Sequence, residues 1–311
     1  MKLIDFCPEY SSQADPYLIR GEDGNFYMYV TGTDGVHAFV ASTLTGKYKH
    51  AGVVFSLVNH KQYWAPSVIF MDGKYYMYVS CMPQNSDDAH TQAMHVACSD
   101  NPLGPFDNAK QICEPFSIDS HVVKNENGLF LFYSVNDYEA QRAGTYIVVD
   151  RLLDPYTPEG KPVAVVKPTL DEEIFMRDRF KKGQHWHTLE GAFYFNEGDY
   201  HYLIYSGNCY MNEYYYLGYA VAKTSERDLT KIKFEKYPDE NTYAPLICKN
   251  SFEAGTGHNS VIKVDGEYYA IYHGRDVVKD ERLTGDDRTA RICKLVLDGK
   301  KMIALQKKDE L

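Results

Sequence analysis

One unit is written five times along this chain, and a chain built that way has few folds open to it. Each copy is a short β-like run, a turn centred on Gly, and an aromatic strand. The copies are Asp15-PYLIRGED-Gly24-NFYMYVTG, Ala65-PSVIFMD-Gly73-KYYMYVS, Asp119-SHVVKNEN-Gly128-LFLFYSV, Glu190-GAFYFNE-Gly198-DYHYLIYSG and His258-NSVIKVD-Gly266-EYYAIYHG. The turns are Asn/Asp-Gly hairpin chemistry, where a positive φ costs Gly little. The flanks are β-branched or aromatic, with the alternation of half-buried strands. Successive turn glycines stand 49, 55, 70 and 68 residues apart. That is too long for a bare hairpin and suits a four-stranded sheet with its loops. Strands between the hairpins fill the remainder, at Ala93 to Ser99, Thr145 to Arg151 and Tyr216 to Ser225. The expectation is an all-β, five-bladed β-propeller occupying 1–311 as a single domain. A two-sheet sandwich also has many hairpins, but gives no reason to repeat one hairpin five times. The best candidate for a helix is one short piece, Asp171 to Phe180.

Composition narrows the function. With 33 basic against 43 acidic side chains the formal charge is −10, and no Lys/Arg stripe stands out, so a nucleic-acid partner held by phosphate contacts is not expected. No apolar run reaches the roughly 20 residues that span a bilayer, so no membrane partner is expected either. The opening MKLIDFCPEYSS lacks the pattern of a secretory signal, and the expected location is cytoplasmic. The seven cysteines (Cys7, Cys81, Cys98, Cys113, Cys209, Cys248 and Cys293) contain no Cys-x-x-Cys pair, so neither zinc nor dithiol redox chemistry is expected of them, and they read as free thiols. The final Lys308-Asp309-Glu310-Leu311 spells a retention signal, which without entry into the secretory path reads as coincidence.

Aligned on the run before each turn, the units begin with Asp15, Ala65, Asp119, Glu190 and His258. The innermost strand of every propeller blade lines the central channel, so equivalent positions gather in a ring. Four of these five are ionisable. Taken singly each has a plain structural explanation, a turn for Asp15, loop caps for Asp119 and Glu190, a core imidazole for His258. Gathered together, crowded and partly buried carboxylates take unequal pKa values, which supplies an acid and a base at one pH. That is the requirement for hydrolysing a glycosidic bond.

At these residues the sequence resembles the family 43 glycoside hydrolases, five-bladed propeller enzymes acting on arabinose- and xylose-containing saccharides. The motifs that carry the resemblance run nearly the whole chain: Ala14-Asp15-Pro16, Trp64-Ala65-Pro66-Ser67-Val68, Ile118-Asp119-Ser120-His121, Glu190-Gly191-Ala192, Tyr205-Ser206-Gly207-Asn208, Gly255-Thr256-Gly257-His258-Asn259-Ser260 and Arg288. The resemblance implies that Asp15 is the general base, Glu190 the general acid, and Asp119 the carboxylate that keeps the acid protonated and oriented. It implies an inverting reaction, with base and acid about 6.5–9.5 Å apart to admit water. It further implies that Arg288 reaches the bound sugar and that His258 sits in the channel below it. A calcium or other small ion beside His258 and a purely structural role for that residue both stay open, and no cofactor is required. Trp64 reads as an apolar wall for a sugar face or as packing between blades. The fragment His185-Trp186-His187 reads as a loop at the pocket rim, since no third ligand stands at metal-motif spacing.

Many family members carry Gly-Pro-Gly-His where this chain has Gly255-Thr256-Gly257-His258. The family's β-xylosidases often add a C-terminal β-sandwich, and none is expected after the fifth blade here. The expected activity is therefore exo-acting α-L-arabinofuranosidase on arabino- or arabinoxylo-oligosaccharides. The alternatives are a β-D-xylosidase or endo-arabinanase of the same fold, a metal-dependent hydrolase built on His258 with Asp15 and Asp119, and a sugar-binding propeller without catalysis.

Overall fold

The computed structural model of the chain describes residues 1–4, 10–277 and 288–308. Cys7 and positions 309–311 of the terminal tetrapeptide lie outside the described residues. Each of the five sequence repeats forms the first hairpin of an antiparallel blade. Blade one is built from Tyr17–Arg20, Phe26–Val30, Val36–Ala41 and Lys49–Phe55, hydrogen-bonded in that order. Blade two comprises His60–Met71, Lys74–Pro83, Ala93–Ser99 and Asp107–Gln111. Blade three has Ile118–Asn125, Gly128–Asp137 and Gly144–Asp154, with Val163–Val166 outside them. Blade four has Trp186–Glu197, Tyr200–Gly207, Tyr216–Lys223 and the short Glu235–Lys236. Blade five has Glu253–Val264, Glu267–Asp276, Thr289–Asp298 and Lys301–Leu305. Blades three and four share one continuous sheet, because Gly144 and Thr145 pair in parallel with His187 and Thr188.

The turns obey their sequence. At Asp72-Gly73 and Asp265-Gly266 both central residues have positive φ, the two-residue turn whose twist matches the strands it joins. The first strands of the blades contact one another in cyclic order, one to two, two to three, three to four, four to five and five to one. Between each neighbouring pair of blades lies a separate apolar core. Tyr27 and Tyr29 pack towards Met77 of blade two, for example, while Phe26, Met28 and Val30 pack towards Ile271 and Ile292 of blade five. Alternating side chains thus feed two different cores, and the strand Phe26–Val30 is buried throughout. The half-buried alternation expected from the sequence is corrected here: a blade has neighbours on both faces, so both sets of side chains are covered.

The ring is clasped by the first residues of the chain. Leu3 N–H donates to Ala290 O and Ile292 N–H to Met1 O, both at 2.8 Å, extending blade five from the far end of the sequence. Gln13 continues the clasp, donating its N–H to Arg288 O at 2.8 Å and accepting Ala290 N–H on Oε1 at 3.0 Å.

Among the described residues the helical pieces are single 3₁₀ turns, and no helix is long and apolar enough to cross a membrane. The helix expected over Asp171 to Phe180 is one such turn, Asp171–Glu173, followed by a strand, Ile174–Met176, that pairs with blade four. The reason is Glu173. Its fully buried carboxylate accepts the N–H groups of Thr169 and Leu170 and receives Lys236 Nζ at 2.6 Å, which folds the segment back instead of letting it wind.

This buried pair gives a stability test. Lys236→Ala leaves an uncompensated carboxylate in the interior, and the expected loss is about 3–5 kcal/mol in urea unfolding. Combining Lys236→Met with Glu173→Gln, which keeps the acceptor for both backbone N–H groups, should recover more than half of it.

Candidate active site

The site is made by a backbone irregularity repeated around the axis. Asp15, Ala65, Asp119 and His258 all adopt left-handed φ, at 55°, 45°, 61° and 48°, and Gly191 does so at 63°. Non-Gly residues seldom accept this region. In blades two to five the ladder slips at the same place, as a β-bulge does when it re-aims a side chain. The equivalent positions are therefore Asp15, Ala65, Asp119, Gly191 and His258. The alignment that put Glu190 in this ring is corrected by one residue. Glu190 belongs with Ala14, Trp64, Ile118 and Gly257, the residues that face Ser206, Thr31, Ser80, Ser134 and His273 across their hairpins. The Glu190–Ser206, Trp64–Ser80, Ile118–Ser134 and Gly257–His273 pairs and the Thr31 N–H bond to Ala14 O show this. Gly is at position 191 because a Cβ there would stand 3.0 Å from His258 Nδ1. Its bare N–H instead donates to Asp119 Oδ2 at 3.2 Å.

All three carboxylates line one pocket of about 290 Å³, together with Trp64, His258 and Arg288. The six residues that the sequence singled out for the site are thus brought together. His185 and His187 are not among them; they line a separate depression, and Trp186 is buried under Phe180 and Tyr138.

Asp15 is almost wholly buried and is held from every side. Thr31 Oγ1 donates to its Oδ2, and Arg288 Nη1 stands 3.4 Å from Oδ1. His273 Nδ1 lies 3.2 Å and His258 Nδ1 3.5 Å from the same oxygen. Burial alone would raise the carboxyl's pKa, but His258, Arg288 and His273 outweigh it and hold the group well below the ordinary range. Burial lowers both histidines, His273 to about 3, so the Arg288 guanidinium is the standing countercharge at neutral pH. Asp15 is ionised.

Glu190 is the opposite case. Burial and the charge on Asp15 raise it to about 7, while the Tyr215 hydroxyl, donating to Oε1 at 2.8 Å, and Arg288 pull it back. Asp119 is also raised, first by burial and then by the charges of Glu190 and Asp15. Each of these two carboxyls is thus pushed towards its neutral form, Asp119 in part by the charge of Glu190 itself.

Sequence reasoning missed the supporting residues. Thr31 holds Asp15 and accepts the N–H of Ala65 at 2.9 Å; Ser206 Oγ accepts the N–H of His258 at 2.8 Å; the fully buried His273 stacks on Tyr215. Thr31, Ser206 and His273, with Ser80 and Ser134, hold equivalent positions late in the second strands of the five hairpins or just past them, at YVT, YVS, FYS, IYS and IYH. That recurrent polar residue after an aromatic run was the available signal. Tyr210, which lies under the Arg288 guanidinium at 4.9 Å, had none.

The surroundings of His258 do not make an oxygen cage of the kind calcium takes. The residue offers a nitrogen, the oxygens of Asp15 are engaged, and a guanidinium stands close by. Among the described residues the side chains spaced to hold a metal ion, two histidines and a cysteine, lie elsewhere, in blade two.

The family model described as "Glycosyl hydrolases family 43" matches residues 10–300. An extracellular exo-alpha-(1->5)-L-arabinofuranosidase from Streptomyces avermitilis is 26% identical over 93% of this chain, which spans only 60% of that relative's length. A xylosidase/arabinosidase from Bacteroides ovatus is 25% identical over 86% of this chain and 82% of its own. Among solved structures, a thermostable family-43 glycoside hydrolase superposes with a TM-score of 0.77 at 27% identity, covering 96% of this chain and 94% of the other. These neighbours share the five-bladed propeller.

Removing the countercharge tests the electrostatics. In Arg288→Met the Asp15 carboxyl should titrate at higher pH, read by carboxyl carbon NMR. The stability that Asp15 contributes is present above its unfolded-state pKa and lost as pH falls through its folded-state pKa. Acid unfolding of the variant should therefore begin at higher pH than in the parent.

Proposed function

The chain belongs to the family 43 glycosyl hydrolases, and from that premise we propose an inverting, exo-acting glycosidase that releases terminal α-L-arabinofuranose from arabino- or arabinoxylo-oligosaccharides. One observation carries the reading. A single pocket contains a carboxyl held ionised, Asp15, and a carboxyl raised to about 7, Glu190. Those are the two states that hydrolysis needs at the same pH.

In this mechanism the ionised Asp15 accepts a proton from a water that attacks the anomeric carbon from one face. Glu190 donates its proton to the departing glycosidic oxygen on the other. Asp119, through the N–H of Gly191, fixes the backbone beside Glu190 and so orients the acid. Positive charge gathering at the anomeric carbon is stabilised by the surrounding carboxylates. Trp64 and Tyr210 supply apolar walls for the sugar, His258 its floor, and Arg288 a donor to its hydroxyls. The pocket volume, at the bottom of the usual range for small-molecule sites of about 300–1,000 Å³, suits one terminal pentose better than a threaded polymer, which supports the exo reading. The word arabinofuranosidase or arabinosidase in the names of both relatives supports the choice of sugar. The paired acid and base speak against a propeller that only binds.

Hydrolysis of arabino-oligosaccharides should fall as pH rises through about 7, because Glu190 then loses the proton it must donate. Glu190→Gln should lower turnover about 10²–10⁴-fold while oligosaccharide binding, read by calorimetry, persists. Nitrophenyl α-L-arabinofuranoside, nitrophenyl β-D-xyloside and linear arabinan, with the first-formed anomer followed by NMR, separate the sugars and the exo from the endo mode. Product that keeps the anomeric configuration of its substrate would sink the inverting mechanism.

A further inference from the structure

Away from the pocket, blade two carries a second cluster with chemistry in it. His60 opens its first strand, Cys81 lies near the end of the second, and His95 is on the third. One donor atom from each lies within 4.8 Å of the others. We propose that His60, Cys81 and His95 form a binding site for a thiophilic divalent cation, with zinc as the favoured ion.

The positions follow from the ladder. Cys81 pairs with Ala93 and Val79 with His95, so Cys81 and His95 are diagonal neighbours on one face of the sheet. His60 pairs with Pro83, two residues beyond Cys81, and so reaches the same face. Cys81 Sγ is 3.4 Å from His95 Nδ1. Sulfur and nitrogen bound tetrahedrally to one zinc, at about 2.3 and about 2.0–2.1 Å, stand roughly 3.5 Å apart, so this pair is already spaced for the ion. The His60 ring meets the His95 ring edge to face at 5.4 Å between centroids. His60 Nδ1 stands 3.0 Å from Val58 O, and donating its proton there leaves the Nε2 lone pair for a ligand. A backbone carbonyl holding the far nitrogen is how metal-binding imidazoles are oriented.

The donor set selects the ion class. One thiolate and two imidazoles suit zinc, whereas calcium and magnesium take oxygen. On binding, the Cys81 thiol proton is released. His95 Nδ1 is bonded to Ala93 O at 2.9 Å, so on binding the ring turns away from that carbonyl and its proton is carried on the nitrogen that does not face the ion. Cys81 and His95 are buried while His60 is half-buried, and with three protein ligands the fourth position is left to water. Cys81 has no disulfide partner competing for its sulfur. None of the three residues lines the carboxylate pocket. The ion's effect is expected on stability, not on hydrolysis.

The test uses the whole chain, stripped with chelator and titrated with cobalt(II). Expected are one bound equivalent, a thiolate-to-cobalt charge-transfer band in the near ultraviolet, displacement of that band by zinc, and a higher melting temperature with zinc than without. Cys81→Ser should remove the band, whereas Cys98→Ser should keep it. His60→Ala, a half-exposed change that folds whether or not the interior tolerates Cys81→Ser, should weaken cobalt binding at least tenfold. Absence of the band in the parent protein, its survival in Cys81→Ser, or unchanged affinity in His60→Ala would each overturn the site. Stripping should leave glycosidase activity as it was. Activity lost on stripping and regained with zinc would place the ion in catalysis and overturn the structural assignment.

Discussion

Left-handed backbone within or just before each inner strand is the constraint on which the rest of the molecule depends. A regular strand would send successive side chains alternately into the two flanking interblade cores. A residue of positive φ with a slipped ladder breaks that alternation and aims a side chain along the channel. The chain accepts this at Asp15, Asp119 and His258, where φ is 55°, 61° and 48°. Backbone strain of this kind persists only where its surroundings over-determine it. Here they do: Thr31 and His273 hold Asp15, Ser206 holds the backbone of His258, and Gly191 holds Asp119. Even Ala65, which has no polar side chain, contributes by anchoring Thr31 with its N–H.

Around that backbone the electrostatics divide the carboxylates by their neighbours and not by their burial. All three are desolvated, which pushes each towards the neutral form. Asp15 alone has a guanidinium and two imidazoles gathered on one oxygen, and it alone stays well below the ordinary range. Glu190 accepts from the Tyr215 hydroxyl and Asp119 from the Gly191 N–H, neither of them a cation, and both feel the negative charge of Asp15. Asymmetry in a nearly symmetric ring therefore arises from where Arg288 and His273 fall. Both come from blade five, and Arg288 is tied to the N-terminal clasp through Gln13. Closing the ring and charging the base are parts of one arrangement.

The strand-turn-strand repeat was legible because hairpin chemistry is local. Asp72-Gly73 and Asp265-Gly266 take the turn that their residues favour wherever they are placed. The carboxylates were legible for a related reason: the repeat gave a common frame in which Asp15 and Asp119 stood out. Glu190 was misplaced by one residue because hydrophobic pattern alone does not reveal a bulge, and the bulge in blade four has Gly at its left-handed position. The expected helix at Asp171 failed on a contact with Lys236, more than sixty residues away. Tyr215, Tyr210 and His273 escaped notice because their roles depend on what faces them across the channel.

By itself, then, the sequence determined the number of blades, the places where the hairpins turn and the identities of the ionisable groups at the channel mouth. These are properties of neighbours in the chain, governed by backbone sterics and side-chain alternation. Only the tertiary structure decided which carboxylate is held charged, which are pushed towards the neutral form, and that a cysteine and two histidines from three strands meet in blade two. Coulombic and desolvation energies depend on separations of a few ångströms between residues that can be over 250 positions apart in the chain, and closure of the ring is what sets those separations.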